Sequence, residues 1–231
     1  MADEYNIFYK QDKLFSPATD KQPTVHVYGV GSVGSHVAVG LAKTGFTDIH
    51  VYDMDVVESD NIPAQFFTVK SGLEKRPKTT AISTMTKVMA DVHVTEHCEK
   101  LTPDNINEHL SLEQDSIHII AFDCLESRRL IASSLEGFPV WILDGRVGGF
   151  EWEKFAFRGD CDKSIKAYYK TLEYDFAESE CGAKCLWSVN SSIAARHVAD
   201  VLKIVKGLPV SFNEQSSIMG SLIINQVEAK E

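Results

Sequence analysis

The sequence contains few cysteines, and they follow no regular pattern. There are five, at positions 98, 124, 161, 181 and 185. An odd number with irregular spacing argues against a disulfide framework and indicates a reducing compartment. A four-cysteine zinc site needs two close pairs, and only Cys181 and Cys185 are close in the sequence. We therefore expect no zinc.

The chain also lacks clustered positive charge and long apolar runs. Lysine and arginine total 23 against 33 acidic residues, a formal net charge of −10. Binding to a nucleic-acid duplex requires clustered cations, so no nucleic-acid partner is expected. No apolar run is long enough for a membrane helix, and the acidic, polar start does not resemble a signal peptide. We expect a soluble, cytoplasmic protein with no membrane partner.

Short apolar runs alternate with segments of helical spacing over the first two thirds of the chain. We predict buried strands at 24–28, 48–53, 118–122 and 140–143. Such alternation is typical of an α/β fold with a doubly wound, Rossmann-like, mostly parallel sheet. Polar and aromatic residues alternate over 150–157, which predicts a C-terminal antiparallel extension.

A glycine-rich turn joins the first predicted strand to the first helix. Gly29 permits a tight turn, Gly31 lets the backbone approach a phosphate, and Gly34 lets the helix pack against the sheet. The helix N-terminus then offers free N–H groups to an anion. Asp53 ends the second strand, where a carboxylate can bind ribose hydroxyls. A strand–turn–helix setting makes this otherwise weak motif indicative of a nucleotide site.

Polar residues follow in a long predicted loop. Asp55 is either a partner of the neighbouring site residues or a helix cap. Asn61 and Gln65 are one helical turn apart, so they either face the nucleotide together or bond to the loop backbone. A hydride-transfer enzyme has no need of Asn61 and Gln65, so the presence of this pair favours ATP over NAD as the ligand.

Two charged residues complete the candidate site. Lys78 begins a helix after Pro77 and can neutralise phosphate charge, although an isolated helix lysine is usually solvated. Asp123 ends a central strand, at the sheet edge where ligands and metals bind, and can hold Mg²⁺. The alternative for Asp123 is an N-cap of the next helix. Arg128 on that helix would pair with Asp123 or be exposed.

The combined pattern resembles the ThiF/MoeB-like adenylyltransferases, bacterial relatives of ubiquitin-activating enzymes. The resemblance covers residues 24–150 and rests on this set: Gly29-x-Gly31-x-x-Gly34, Asp53-x-Asp55, Asn61-x-x-x-Gln65, Lys78 and Asp123-x-x-x-x-Arg128. The loop at 61–66 and the segment at 144–146 resemble a divergent branch found in bacterial and phage genomes. We expect one ThiF-like domain over 1–231, with a nucleotide-binding core at 24–150. An irregular crossover segment at 159–187, a long helix at 191–206 and the C-terminal extension would follow within 151–231. Residues 1–23 would form a loose lead-in.

The resemblance implies a function and its components. It implies Mg-ATP as cofactor, a homodimer, and adenylation of the C-terminal carboxylate of a small ubiquitin-like or sulfur-carrier protein. Asp53 would bind ribose, Asn61 and Gln65 the nucleotide, Lys78 the phosphates and Asp123 the metal. Cys181 resembles the position where some members carry a sulfur-handling or thioester cysteine; an inert thiol is the alternative.

The sequence also departs from the family pattern. Ala64 stands where the family usually has arginine, no arginine precedes Arg76, and the paired zinc cysteines are absent. Arg76 and Arg146 are candidate substitutes for the missing phosphate cations. Two alternative hypotheses remain: an NAD-dependent oxidoreductase, and a nucleotide-binding partner protein that has lost catalysis.

Overall fold

A seven-stranded sheet organises the computed structural model, which describes residues 7–173 and 186–219. In space, its strands follow the order β3-β2-β1-β4-β5-β6-β7. Their bounds are β1 Val25–Tyr28, β2 Ile49–Tyr52, β3 Thr95–His97, β4 Ile117–Ile120, β5 Trp141–Gly148, β6 Glu151–Arg158 and β7 Asn213–Ser217. Strands β1 to β5 pair in parallel, whereas β6 and β7 pair antiparallel. The predicted fold class is thus confirmed.

Helices cover both faces of the sheet. The described helices are α1 Gly34–Thr44, α2 Val69–Leu73, α3 Lys78–Ala90, α4 Ile106–His109, α5 Leu125–Ser134, α6 Asp162–Thr171 and α7 Trp187–Val205, with a 3-10 turn at Ser59–Asn61. Apolar residues of α1, α3 and α7 belong to one core cluster, and those of α4, α5 and α6 to another. These six helices bury apolar residues against the sheet, as a doubly wound fold requires, whereas α2 buries only Ser71.

Strand register creates a row of histidines within the second core. The second residue of β1, β2 and β4 is histidine, and the register places His26 beside His50 and His118. Their rings stack, with centroids 4.8 Å apart in both pairs. Tyr28 and Tyr52 form the next row, 4.7 Å apart. This face of the sheet therefore carries titratable histidine and tyrosine rings in addition to apolar side chains.

The C-terminal part of the chain differs from the sequence-based expectation. Helix α6 lies in a segment that we expected to be irregular, and α7 begins at Trp187 rather than near residue 191. Ile165 and Tyr168 of α6 are buried, which explains why this mostly polar segment folds against the sheet. The segment before β1, expected to be loose, also contributes Phe15, which is buried and stacked on Phe46.

Within the described residues, no helix has the length and apolar composition needed to cross a membrane. The sheet draws its strands from both predicted sections of the chain, 24–150 and 151–231. Treating residues 1–231 as a single domain stays a prediction.

Candidate functional site

The candidate site lies where the winding direction of the sheet reverses. β1 has β2 on one side and β4 on the other, so their carboxyl ends flank a crevice. Ligands of open α/β sheets bind in such crevices. Gly29 follows β1 with φ +88°, and a Cβ there would lie 2.9 Å from the Ala121 carbonyl oxygen just beyond β4. Only glycine allows the two strand ends to approach this closely.

The other two glycines of the turn differ sharply in their surroundings. A Cβ on Gly34 would lie 1.8 Å from the carbonyl oxygen of Gly29, so this glycine is needed for the turn to meet helix α1. At Gly31 the nearest atom to a Cβ is Nε2 of Gln65, 4.0 Å away. Space therefore remains beside the backbone of Gly31.

Asp53 holds the strand end and the glycine turn together. Its carboxylate accepts the N–H of Val30 at 3.0 Å through Oδ2 and the N–H of Asp55 at 2.9 Å through Oδ1. Lys78 lies beside it: Nζ is 3.0 Å from Oδ2 of Asp55 and 4.0 Å from Oδ1 of Asp53. Glycine turn, carboxylates and lysine therefore form one connected site.

Burial shapes the electrostatics of this cluster. Asp53 and Lys78 are each only 8% exposed, so Lys78 is not the solvated helix lysine of the alternative interpretation. Burial raises the pKa of Asp53 above its ordinary value, and the charge of Lys78 and the two backbone N–H donors oppose that rise. Asp55 pairs with Lys78, which agrees with the partner alternative for this residue. The site presents a buried ammonium group beside the glycine turn.

The polar loop is fixed by contacts that the sequence does not reveal. The carbonyl oxygen of Ala64 lies 3.0 Å from Nε2 of His36 and accepts a 2.8 Å hydrogen bond from Nδ2 of Asn190. The N–H of Phe66 donates to the Ser35 hydroxyl at 3.0 Å. The two neighbours of Gln65 are thus hydrogen-bonded to the N-terminal ends of α1 and α7, which fixes the loop at Gln65.

Gln65 and Asn61 are used differently by the folded loop. Gln65 lies beside Gly31, and its buried Oε1 has no hydrogen-bond partner in the described part of the chain. Burying an amide oxygen without a hydrogen-bond partner costs folding free energy, and a hydrogen-bond donor on a bound ligand would recover it. Asn61 accepts the Glu58 N–H at 3.1 Å and donates to Asp60, as the loop-backbone alternative expects. A nucleotide contact of Asn61 stays a prediction.

Asp123 stands at the opposite side of the crevice, three residues beyond β4. Its side chain is exposed, and it has no ion pair or side-chain hydrogen bond within the described residues. Helix α5 takes Cys124 as its N-cap without a side-chain cap bond, so Asp123 does not cap it. A free carboxylate at this edge fits Mg²⁺, which binds through one or two carboxylates together with water and phosphate oxygens.

The arginines are not where the sequence suggested. Arg128, expected to pair with Asp123 or be exposed, is buried and instead donates to Asp144 and, at 3.0 Å, to the carbonyl of Gly145. Arg146 donates to the same Asp144 at 2.8 Å and to the Thr171 carbonyl at 3.0 Å. Since fully paired buried arginines are not available to phosphates, Arg146 is not a substitute cation in this arrangement.

Two further candidates have different outcomes. Arg76 remains partly exposed, although it pairs with Glu74 at 2.5 Å, so its phosphate role stays a prediction. Cys181 lies outside the described residues, as does Cys185.

The family of the chain follows from a match to a known family. The ThiF family profile matches residues 19–226. This chain belongs to the ThiF family.

Curated relatives of this ThiF-family chain are larger proteins. It is 28% identical over 130 residues to the NEDD8-activating enzyme E1 catalytic subunit of Schizosaccharomyces pombe, covering 54% of this chain and 29% of that protein. It is 36% identical over 93 residues to ubiquitin-like modifier-activating enzyme 5 of Drosophila pseudoobscura, covering 39% of this chain and 23% of that protein. The matches therefore span less than a third of each relative's length.

Solved structures share the ThiF-family fold. E. coli MccB crystallised with ATP superposes with a TM-score of 0.70 at 19% identity, covering 94% of this chain and 65% of MccB. PaaA superposes with a TM-score of 0.71 at 20% identity, covering 96% of this chain and 76% of PaaA. At this level of identity the likeness establishes the fold.

A cluster of potential metal ligands that the sequence did not predict lies away from the glycine turn. His97, Glu99 and His109 each bring one potential metal-binding atom within 4.8 Å of the others, at the far edge of the sheet. Their spacing matches no familiar metal motif. They converge only because β3 and α4 fold onto the same end of the sheet, although a His-x-Glu at a strand end was a usable signal.

Proposed function

We propose that this ThiF-family chain binds Mg-ATP in the crevice between β1 and β4 and adenylates a carboxylate. The acceptor class that we propose is the C-terminal carboxylate of a small ubiquitin-like or sulfur-carrier protein, or of a peptide. The family membership supports adenylyl transfer over NAD-dependent hydride transfer. The relatives are named as a NEDD8-activating enzyme and a ubiquitin-like modifier-activating enzyme. MccB was crystallised with ATP and, in a separate structure, with AMPCPP and MccA.

The observation that carries the proposal is the buried position of Lys78. Its Nζ lies beyond the carboxyl end of β2, between Asp53 and Asp55. Asp53 in turn holds the glycine turn through the Val30 N–H. A buried lysine is costly unless charged groups surround it. Of these two carboxylates only that of Asp55 is within hydrogen-bonding distance of Nζ, so donors of the ammonium remain for a phosphate of ATP bound beside Gly31.

Each residue then has a physical task in the proposed reaction. Asp53 accepts ribose hydroxyls, and Gln65 accepts a donor from the nucleotide through its unpartnered oxygen. Lys78 and the N–H groups of the turn hold the phosphates. Asp123 would hold Mg²⁺, which supplies neutralising charge to the phosphates. Since phosphoryl-type transfer needs little covalent help, rate enhancement would come from this positioning and charge.

The bond changes are those of acyl-adenylate formation. A carboxylate oxygen of the acceptor attacks the α-phosphorus of ATP. The bond from that phosphorus to the bridging oxygen breaks, and pyrophosphate leaves with the electron pair. A carboxylate is already deprotonated at neutral pH, so no general base is needed.

Isotope exchange between radiolabelled pyrophosphate and ATP tests this proposal. The acceptors would be synthetic peptides ending in Gly-Gly, each paired with its C-terminal amide as the matched control. We expect exchange that depends on Mg-ATP and on the free carboxylate, and tighter calorimetric binding of Mg-ATP than of NAD. Tighter binding of NAD than of Mg-ATP would refute the assignment.

A specific observation favours a second candidate, a nucleotide-binding protein without catalysis. Ala64 replaces the arginine that the family pattern expects, and Arg128 and Arg146 are committed to Asp144. Tight Mg-ATP binding without exchange, across peptides and small carrier proteins, would support this candidate. The homodimer implied by the family resemblance is a further proposal, and light scattering of the purified chain tests it.

A further inference from the structure

A second cluster of chemically active side chains lies at the outer edge of the sheet, away from the glycine turn. His97 ends β3, Glu99 follows two residues later, and His109 ends α4. One ligand atom from each lies within 4.8 Å of the other two. Nε2 of His109 is 3.3 Å from Oε1 of Glu99, so these two groups already face each other.

Residues of β2 hold both histidines in place. The ring of Tyr52 stacks on that of His97 at 4.2 Å with an interplanar angle of 4°. The Tyr52 hydroxyl also donates to the backbone carbonyl of His109 at 3.0 Å. Nδ1 of His50 lies 3.1 Å from Nε2 of His97, which fixes the His97 ring further. Hydrogen-bonded neighbours orient metal-binding imidazoles in the same way.

The donor set defines the class of ion. Two imidazole nitrogens and one carboxylate oxygen suit Zn²⁺ and neighbouring divalent transition metals, whereas Mg²⁺ and Ca²⁺ prefer oxygen ligands. We propose that His97, Glu99 and His109 bind one divalent transition-metal ion, with Zn²⁺ as the best match and water as the fourth ligand. The cysteine pattern argues only against a four-cysteine zinc site, and the spacing of these histidines in the sequence does not reveal the set.

The position of the cluster gives the ion a structural role. Its ligands come from β3, from the segment after β3 and from α4, so one ion would fasten the chain between residues 97 and 109 to the sheet edge. The carbonyl of His97 accepts the N–H of Asp53 at 3.2 Å. The ion would therefore brace the strand end that carries the carboxylate of the nucleotide site.

Metal titration of the whole chain tests the proposal. Protein stripped with a chelator and dialysed would be titrated with Co²⁺, whose visible absorption reports coordination geometry, and then with Zn²⁺ in competition with a coloured chelator. We expect one Zn²⁺ per chain. His109→Ala and Glu99→Gln should each weaken binding by about a hundredfold or more, and His50→Phe, which removes the ring partner of His97, by roughly tenfold, since removing outer partners typically costs 10- to 100-fold.

Three controls make the result specific. His93→Ala removes an exposed histidine outside the cluster and should leave affinity unchanged. Cys98→Ser removes an exposed thiol between two of the ligands and should also leave it unchanged. Lys78→Ala should bind metal normally, so a failed nucleotide assay and a failed metal assay are separable.

Protein folding provides an independent readout. Zn²⁺ should raise the Tm of the wild type by mass action but not that of His109→Ala, whose far-ultraviolet circular dichroism without metal should match the wild type. Unchanged Zn²⁺ affinity in both His109→Ala and Glu99→Gln, or its loss in Cys98→Ser, would overturn the proposal.

Discussion

The backbone N–H of Asp53 donates a 3.2 Å hydrogen bond to the carbonyl of His97. Asp53 follows β2 and belongs to the candidate nucleotide site, and His97 ends the edge strand β3. This bond therefore joins the candidate site to the edge strand. The carboxylate of the same Asp53 holds the glycine turn through the Val30 N–H. Asp53 thus connects the outer edge of the sheet to the glycine turn.

The first prediction concerns the buried lysine. Lys78→Ala should reduce carboxylate-dependent ATP–pyrophosphate exchange by about a hundredfold, because losing one preorganised charged group costs about 3 kcal/mol at the transition state. Exchange rates at saturating ATP would measure it. Lys87→Ala, which removes an exposed lysine from the same helix, is the matched control and should retain full activity. Wild-type exchange in Lys78→Ala would remove the role assigned to this residue.

The second prediction concerns the free carboxylate beyond β4. Asp123→Asn should lower exchange by roughly a hundredfold and raise the Mg²⁺ concentration needed for half-maximal rate, since an amide is a poorer ligand than a carboxylate. Its unfolding free energy should stay the same, because the exposed side chain has no partner to lose in the described structure.

Glu126→Gln is the control for Asp123→Asn, as it neutralises another exposed acid three residues further along. It should leave both the rate and the Mg²⁺ dependence as in the wild type. An Asp123→Asn protein with normal Mg²⁺ dependence would show that the ion is held elsewhere.

The third prediction separates the glycines of the turn. Gly34→Ala should destabilise the fold by roughly 1–3 kcal/mol, because a Cβ 1.8 Å from the Gly29 carbonyl oxygen forces backbone to move. Gly31→Ala should change stability by less than about 1 kcal/mol, since its Cβ meets nothing closer than 4.0 Å. It should nevertheless weaken Mg-ATP binding roughly ten- to hundredfold by blocking the backbone from a phosphate.

Urea unfolding and calorimetric titration would measure the two glycine variants side by side, each serving as the other's control. If Gly31→Ala bound Mg-ATP as tightly as the wild type, the phosphate would not lie against this part of the turn.

Local chemistry made the core of the fold and much of the site predictable. The short apolar strands and the glycine turn are encoded by neighbouring residues, so β1, β4 and the turn of Gly29 followed from the sequence. Helix α6 was missed because its sequence is mostly polar, although Ile165, Tyr168 and Leu172 carry a helical spacing that was available.

What the sequence could not reveal depends on distant partners. The Ala64 carbonyl is held by Asn190, 126 residues away. Arg128 of helix α5 is buried because Asp144 of strand β5 compensates its charge, and no local pattern marks that pair. Tertiary contacts therefore decide which cationic side chains can bind a ligand. Here Arg128 and Arg146 both pair with Asp144 and cannot.

The last prediction concerns acid stability and the buried histidines. Burial lowers the pKa of His26 to about 2 and that of His118 and His197 to about 3, against 6.5 when exposed. These groups are neutral when folded, so their stabilising contribution is complete above pH 6.5 and is lost as the pH falls below it. Between pH 7.5 and 5.5 each should cost about 1.4 kcal/mol of unfolding free energy.

His197 gives the sharpest test of this linkage. It is fully buried on α7 near Lys154 and Arg128, and neither ring nitrogen has a hydrogen-bond partner within the described residues. His197→Leu removes the titration without breaking a hydrogen bond, so urea unfolding at pH 7.5 should show equal or greater stability. The loss between pH 7.5 and 5.5 should shrink by about 1.4 kcal/mol. An unchanged slope in His197→Leu would mean that folding does not lower the pKa of this imidazole.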